Sequence, residues 1–170
     1  GAAEGVDNDD GSSYYAVRRN VFYDSEGFKM DYGGHNSVFE ENIVISFPSR
    51  RRSNSKCVIF AEILSSDLAH RVRNNACFVP NDSPSLIFMA SCREGQAGNL
   101  TNNRYYTNNG RAMVACWDEN AGEDINFEDA QRAYGIEAGS VVSEMPRQAM
   151  TIVAMARETL SLRPEMVETQ

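Results

Sequence analysis

One short pattern, an asparagine followed by an apolar or aromatic run, occurs four times along this chain. The copies are "RRNVFY", "EENIVI", "RNNACF" and "TNNRYY", and their asparagines are Asn20, Asn42, Asn75 and Asn103. Successive copies are separated by 22, 33 and 28 residues. Repeats of this length, made of short apolar runs, indicate a solenoid in which each repeat stacks on the next.

A second set of strand-like runs alternates with the first. Its members are "GFKMDY" (27–32), "CVIFAEIL" (57–64), "SLIFMA" (85–90) and "RAMVACW" (111–117). Turn-forming Gly, Asn, Asp and Ser fill the segments between them. No repeat carries a helix-period apolar stripe, and the frame of a leucine-rich repeat is absent. The pattern therefore predicts an all-β solenoid, a parallel β-helix of about four coils.

The repeated asparagines have a predicted role in such a fold. Equivalent positions on neighbouring coils lie ~4.8 Å apart, so the four side chains are expected to stack as an inward-turning ladder. Their amides would bond to one another and to turn backbone that water cannot reach.

The C-terminal part differs from the repeats. We predict coils over residues 1–125 and a tail with a capping helix over 126–170. The helix is expected in "PRQAMTIVAMARETLSL", with Pro146 in its first turn and an apolar side formed by Met150, Val153, Ala154 and Leu160. The N-terminal end has no matching cap. We expect the chain to begin partway along a longer β-helix, or a partner to cover that end.

Composition excludes several classes of protein. The chain has 170 residues, is 42% hydrophobic and carries a net charge of −8, which fits one globular domain and argues against nucleic acid as a partner. No apolar run is long enough to span a membrane.

The four cysteines lack the spacing of a zinc site. "CREGQAG" (92–98) aligns with "CWDENAG" (116–122), so Cys92 and Cys116 are expected to stack, either as a disulfide or as a reduced core pair. The "NLT" sequon makes Asn99 a candidate glycosylation site. The even number of cysteines and the sequon favour a secreted or cell-surface protein.

Three longer segments resemble a known superfamily. "DNDDGSSYYAVRRNVF" followed by "FKMDYGGHNSVFEENIV" is similar to the right-handed parallel β-helix proteins of the pectin-lyase-like superfamily. "FEDAQRAYGIEAGSVVSEMP" resembles the last coil and tail of such proteins. The resemblance implies a right-handed β-helix. It leaves the activity open, because the superfamily includes polysaccharide lyases, glycoside hydrolases, uronate epimerases and proteins without known catalysis.

The segment "GFKMDYGGH" carries the candidate catalytic residues. Alternation along a strand predicts that Phe28, Met30 and Tyr32 point into the helix and that Lys29 and Asp31 face outward. His35 follows the glycine turn. The alternative interpretation is a solvated Lys29–Asp31 surface pair and a His35 that serves the turn.

β-Elimination from a uronate requires a base and a means of neutralising the sugar carboxylate. Lys29 or His35 is predicted as the base, and Tyr32 or Tyr14 as the acid. Calcium is the predicted neutralising cation, held by Asp7, Asp9 and Asp10 in "VDNDDGS". The same aspartates also fit an Asx-type turn. Inverting hydrolysis would instead use Asp9 or Asp10 with Asp31.

Two functions remain open from the sequence. The first is a lyase or epimerase that acts on an acidic polysaccharide, with calcium as a possible cofactor. The second is a non-catalytic extracellular or assembly-embedded β-helix that binds glycan or protein, or serves a structural role. The net charge of −8 counts against the first, because an anionic substrate prefers a positive groove.

Overall fold

A computed structural model describes residues 4–32, 34–47, 56–61, 69–82, 84–92, 99–118 and 121–161. The strands within these ranges are, in chain order, β1 (Glu4–Asn8), β2 (Ala16–Arg18), β3 (Val21–Tyr23), β4 (Glu26–Met30), β5 (Val38–Glu40), β6 (Ile43–Ile45), β7 (Val58–Phe60), β8 (Arg71–Arg73), β9 (Ala76–Phe78), β10 (Ser85–Met89), β11 (Asn99–Thr101), β12 (Arg104–Thr107), β13 (Met113–Asp118), β14 (Ala121–Asn126) and β15 (Val141–Glu144). Helix α1 spans Phe127–Tyr134 and helix α2 spans Ala149–Thr159.

The strands form three sheets that the chain visits in turn. Sheet 1 has the order β1-β4-β7-β10-β13-β14, sheet 2 the order β11-β8-β5-β2, and sheet 3 the order β15-β12-β9-β6-β3. Sheets 2 and 3 are entirely parallel, and in sheet 1 only β13 and β14 pair in an antiparallel manner. We call one passage through the three sheets a circuit. The prediction of a mainly β chain with parallel sheets is confirmed.

The three sheets share one core. Phe28 and Ile87 from sheet 1, Phe39 from sheet 2, and Val44 and Tyr105 from sheet 3 belong to one buried cluster. Aromatic rings of successive circuits stack at this cluster, with ring centroids 5.7 Å apart between Phe22 of β3 and Phe39 of β5. Each circuit therefore adds a layer of apolar side chains to its neighbour, as dense packing requires.

The predicted asparagine ladder is confirmed at the corner between sheets 2 and 3. The backbone N–H of Asn20 donates to Oδ1 of Asn42 at 3.0 Å, that of Asn42 to Asn75 at 2.9 Å, and that of Asn75 to Asn103 at 3.0 Å. The Nδ2 groups donate to the same oxygens at 3.0 to 3.1 Å. Three Nδ2 groups also bond backbone carbonyls of Val17, Phe39 and Val72. Buried polar groups at this corner are thus satisfied within the stack.

A carboxyl group ends the ladder. Asn103 Nδ2 donates to Oε2 of Glu137 at 3.1 Å, and the hydroxyl of Tyr105 donates to Oε1 at 2.6 Å. The Ser140 hydroxyl also donates to Glu137 and accepts the backbone N–H of Asn103. Glu137 is fully buried. Burial raises the pKa of its carboxyl group, although the hydrogen bonds from Ser140, Tyr105 and Asn103 partly oppose this.

A shorter side-chain stack supports the corner between sheets 1 and 2. The hydroxyl of Ser37 accepts the backbone N–H of Tyr15, and Nδ1 of His70 accepts that of Ser37, each at 3.2 Å. His70 is completely buried, and its ring stacks on Phe60 with centroids 5.6 Å apart. Burial lowers the pKa of His70, which therefore stays neutral and keeps Nδ1 as an acceptor.

Two disulfides lie in the buried core. Cys57 pairs with Cys77, and Cys92 pairs with Cys116, with Cα–Cα distances of 6.2 and 5.6 Å. The second bond is one of the two alternatives predicted for these residues. The predicted in-register stacking is wrong, because Met89 and not Cys92 lies opposite Cys116. The bond forms because Cys92, three residues beyond Met89, lies at the turn after β10.

The C-terminal helices differ from the prediction. Helix α1 packs against β13 and β14 and buries Phe127 and Ala130, so an element that the sequence reading missed lies beside the last strand of sheet 1. Helix α2 was expected to cap the last coil. It instead packs Ile152, Met155 and Ala156 against buried residues on the outer side of sheet 3. Val153 and Leu160 of its predicted apolar side are 46% and 44% exposed.

The segment after residue 126 also contributes a strand, because β15 pairs with β12 in sheet 3. Neither described helix has the length and apolar character needed to cross a bilayer.

The ladder asparagines should contribute unequally to the free energy of unfolding, more in the buried middle than at the half-buried end. Asn75→Ala removes two acceptor and two donor interactions in a buried site, and we expect a loss of about 3 to 5 kcal/mol in the free energy of unfolding. Asn20→Ala removes only donor interactions at a half-buried end, and we expect a loss of about 1 kcal/mol. Urea unfolding of both variants with the disulfides intact measures the difference. Equal losses would contradict a cooperative ladder.

His70 should make stability depend on pH. Its pKa is lowered in the folded protein, whereas an unfolded histidine takes up a proton near pH 6.5. The stabilisation linked to His70 is therefore present above about pH 6.5 and is lost as the pH falls through the lowered folded pKa. His70→Asn should be less stable at neutral pH but should lose less on acidification. Unfolding free energies measured across that range for both proteins test this, and parallel curves would refute it.

Candidate functional site

Lys29 is the centre of a charged cluster on the outer side of sheet 1. Asp7 lies beside Lys29 in the register of β1 and β4. The ammonium Nζ of Lys29 lies 2.8 Å from Asp7, 3.1 Å from Asp9 and 3.0 Å from Asp31. Two circuits thus converge on one cation, and we call these four residues the Lys29 cluster. All four members were predicted separately, Lys29 as a base, Asp7 and Asp9 as metal ligands, and Asp31 as an outward-facing carboxylate.

The cluster holds Lys29 in its charged form. Partial burial alone would lower the pKa of the amine, but hydrogen bonds with Asp7, Asp31 and Asp9 outweigh burial and raise it well above its ordinary value. An amine that stays protonated cannot remove a proton from a substrate. The geometry therefore does not support Lys29 as the base, and it supports Lys29 as a fixed positive charge.

Asp31 faces the same side of the sheet as Lys29 but is covered by its neighbours, whereas Tyr32 departs from the predicted alternation. Asp31 is 5% exposed, and Tyr32, predicted to point inward, is 48% exposed. β4 ends at Met30, and Tyr32 has a φ of 48°, so the turn interrupts the strand alternation between these two residues. The expected inward orientation of Tyr32 is therefore wrong, whereas Asp31 joins Lys29 on the outer side of the sheet as expected.

The carboxyl groups of Asp31 and Asp9 meet at the ammonium of Lys29. Each carboxyl group also shifts the pKa of the other. Burial, opposed by Lys29, raises the pKa of Asp31, and contact with Asp31 and Lys29 lowers the pKa of Asp9. Oδ1 of Asp31 is buried and accepts no hydrogen bond from any described residue. Two carboxyl groups with pKa values moved apart are suited to acid–base chemistry.

The separation of the Asp9 and Asp31 carboxyl groups decides whether this pair is suited to inverting hydrolysis. An inverting glycosidase needs its carboxyl groups about 6.5 to 9.5 Å apart, so that a water fits between them. Oδ1 of Asp9 and Oδ2 of Asp31 bond the same Nζ of Lys29, so they are closer together than that arrangement requires. The inverting pair predicted from Asp9 with Asp31 is therefore not supported by the geometry.

Aromatic side chains lie on the loops that follow β1 and β4. Tyr14 is 74% exposed, Tyr15 53% and Tyr32 48%. Tyr14 contacts His35 edge to face, with ring centroids 5.1 Å apart. His35 Nδ1 accepts a hydrogen bond from Asn36 at 2.9 Å when it is unprotonated, and its backbone N–H donates to Ser13. His35 thus interacts with the loop and with Tyr14, while the Lys29 cluster is formed by the aspartates.

The three predicted calcium ligands do not lie in one place. Asp7 and Asp9 bind the ammonium of Lys29, whereas Asp10 is exposed on the turn with a φ of 50°. Across the described ranges, no three acidic, histidine or cysteine side chains are arranged to hold a metal ion. Lys29 already supplies a cation at the point where the carboxylates meet. Calcium binding stays a prediction, and no catalytic step here depends on it.

Comparisons with protein-family models, curated proteins and solved structures found no significant match to this chain.

The side chains that line the corner between sheets 2 and 3 were missed by the sequence reading. The residue before each ladder asparagine has a positive φ, and these residues are Arg19, Glu41, Asn74 and Asn102. The repeated asparagines were the available signal, because each of these four residues directly precedes one of them. It was used to find the inward ladder but not the outward row beside it.

Removing the central cation should expose the repulsion among the three carboxylates. Lys29→Met is expected to lower the free energy of unfolding by about 1 kcal/mol at neutral pH. The loss should shrink below about pH 4, where the carboxylates gain protons and no longer repel one another. Asp82→Asn, an exposed change at the turn before β10, serves as the control. A loss that stays constant between these pH values would contradict the ionic account of the cluster.

Proposed function

We propose that the three sheets form a right-handed parallel β-helix and that the protein is a carbohydrate-active enzyme of the lyase or epimerase type. In this proposal the Lys29 cluster acts on an acidic polysaccharide. The observation that carries it is the convergence of Asp9 and Asp31 on the ammonium of Lys29, next to a loop with exposed tyrosines.

Each residue of the cluster has a proposed role. Asp31, whose pKa is raised, supplies a proton to the leaving oxygen, and ionised Asp9 accepts the proton that the sugar loses. Lys29 holds both carboxyl groups in place and offsets part of the negative charge. Tyr14 and Tyr15 offer ring faces on which a sugar can stack.

The charge of the cluster sets a condition on the substrate. The cluster has three carboxyl groups and one ammonium, and its excess of acidic groups repels a uronate. A divalent cation that binds together with the polysaccharide would relieve that repulsion. Calcium is the proposed cation.

A depolymerisation screen tests the proposed activity. The purified chain is incubated with alginate, pectate, glucuronan and sulfated glycans, with calcium and then with EDTA, while ultraviolet absorbance of unsaturated ends and reducing sugars are followed. We expect unsaturated product, lost at least 100-fold in Asp31→Asn and unchanged in Asp82→Asn. Reducing ends without that absorbance would indicate hydrolysis. Equal activity in both variants would place the chemistry elsewhere.

The second candidate is a non-catalytic β-helix that binds a protein or glycan. Sheet 2 carries an analogous charge row, in which Glu40 bonds Arg18 at 2.7 Å and Arg73 at 2.6 Å across three strands. The Lys29 cluster resembles this row and would then serve only to join circuits. This candidate also accommodates a protein partner over β2 and β3, whose side chains are exposed or half-buried while those of β5 and β6 are buried. Inactivity on every substrate would favour it.

We also propose that the protein is exported. Two buried disulfides are compatible with an extracellular protein. Asn99 is exposed at the start of β11, where a glycan can be attached. Intact-mass measurement of protein recovered from a eukaryotic secretion host tests both points. Free thiols or an unmodified Asn99 would contradict the corresponding part.

A further inference from the structure

A groove of about 650 Å³ lies between helix α2 and the corner where sheet 2 passes into sheet 3. It lies at a different corner from the Lys29 cluster, which follows sheet 1. Residues from successive circuits form one wall, and Met155 and Glu158 of α2 contribute to the other. The volume is within the range of sites that bind small organic ligands.

The corner wall is a regular and rigid row. Arg19, Glu41, Asn74 and Asn102 have φ values of 55°, 56°, 56° and 55°. Each residue directly precedes a ladder asparagine, so the amide ladder holds the backbone behind every member of the row. Neighbouring members are about 4.8 Å apart, the spacing of adjacent strands. The side chains are thus presented at fixed intervals before any ligand arrives.

Several polar groups in the groove have no partner within the described residues. The side chains of Glu41, Asn74, Asn102 and Arg104 are exposed and make no hydrogen bond or ion pair there. The Arg19 guanidinium differs, because it donates to the carbonyl of Thr159 at 3.3 Å and to the Ser161 hydroxyl. Arg19 therefore ties the end of α2 to the first circuit and closes one end of the groove.

The lining combines balanced charge with apolar surface. Arg19 and Arg104 are matched by Glu41 and Glu158. Ile43 and Ala76, buried residues at the start of strands in sheet 3, contribute apolar atoms. A polyanion such as a uronate chain or nucleic acid would need an excess of cations. A neutral sugar offers hydroxyl groups for the free amides and apolar ring faces for the lining.

We propose that this groove binds an uncharged oligosaccharide lying across the circuits. Its hydroxyl groups pair with the amides of Asn74 and Asn102, the carboxylate of Glu41 and the guanidinium of Arg104. This site is independent of the proposed activity at the Lys29 cluster.

The test is a titration of isotope-labelled protein, with amide resonances followed by NMR. The ligands are tetrasaccharides of glucose, mannose and xylose, with tetragalacturonate as the charged comparison and an uncharged peptide of similar length as the alternative ligand. We expect a neutral tetrasaccharide to shift the resonances of residues 41, 74 and 102 with a Kd below about 1 mM.

A double variant, Asn74→Gly with Asn102→Gly, removes both side-chain amides. Glycine readily adopts the positive φ found at these two positions, so the backbone is expected to keep its conformation. It should weaken binding at least tenfold. The matched control is Asn36→Gly, an exposed residue with a φ of 56° at the corner after sheet 1, and it should bind normally. Asp31→Asn should also bind normally, which separates this site from the proposed catalytic one.

Three results would overturn the proposal. The first is no shift with any neutral sugar at about 10 mM. The second is unchanged affinity in the double variant, and the third is tighter binding of tetragalacturonate or of the peptide.

Discussion

The stacked asparagine amides are the interaction on which the rest of this structure depends. A chain that turns sharply between sheets at every circuit buries backbone groups that no strand can pair. The Oδ1 of Asn42, Asn75 and Asn103 accepts from the preceding circuit, and their Nδ2 groups donate to the next ladder group and to a carbonyl. Glu137, Tyr105 and Ser140 complete the last rung, so the ladder ends in satisfied polar groups rather than in an orphaned amide.

Both candidate sites follow from this repeat. Because circuits stack in register, Asp7 is placed beside Lys29, and the loops carrying Asp9 and Asp31 come into contact. The same stacking aligns the positive-φ residues outside the ladder into a groove wall. The first site concentrates opposite charges around a buried carboxyl group, whereas the second presents unpaired polar groups with balanced charge. The roles proposed for the two sites differ accordingly, proton transfer at the first and recognition of a neutral ligand at the second.

The sequence was informative where one residue type performs the same task at every repeat. The ladder asparagines and the strands beside them could be predicted because their spacing and apolar runs recur. Tyr32 could not be oriented, since the turn that reverses its expected direction depends on a backbone dihedral and not on composition. The apolar side of α2 was misassigned because "AMTIVAMA" is almost continuously apolar, so no single face stands out. Helix α1 was missed despite Asn126 at its N-cap and Gly135 at its C-cap, because its eight residues bury only Phe127 and Ala130.

Native-state hydrogen exchange of the backbone amides tests the ladder as the organising interaction most directly. The account predicts that the amides of Asn42, Asn75 and Asn103 exchange only through the largest openings of the protein, and that the amide of Asn20 at the half-buried end exchanges sooner. The contradicting result is exchange of the three inner amides at the rate of exposed turns, while neighbouring strands stay protected. The sheets would then hold the structure without the ladder.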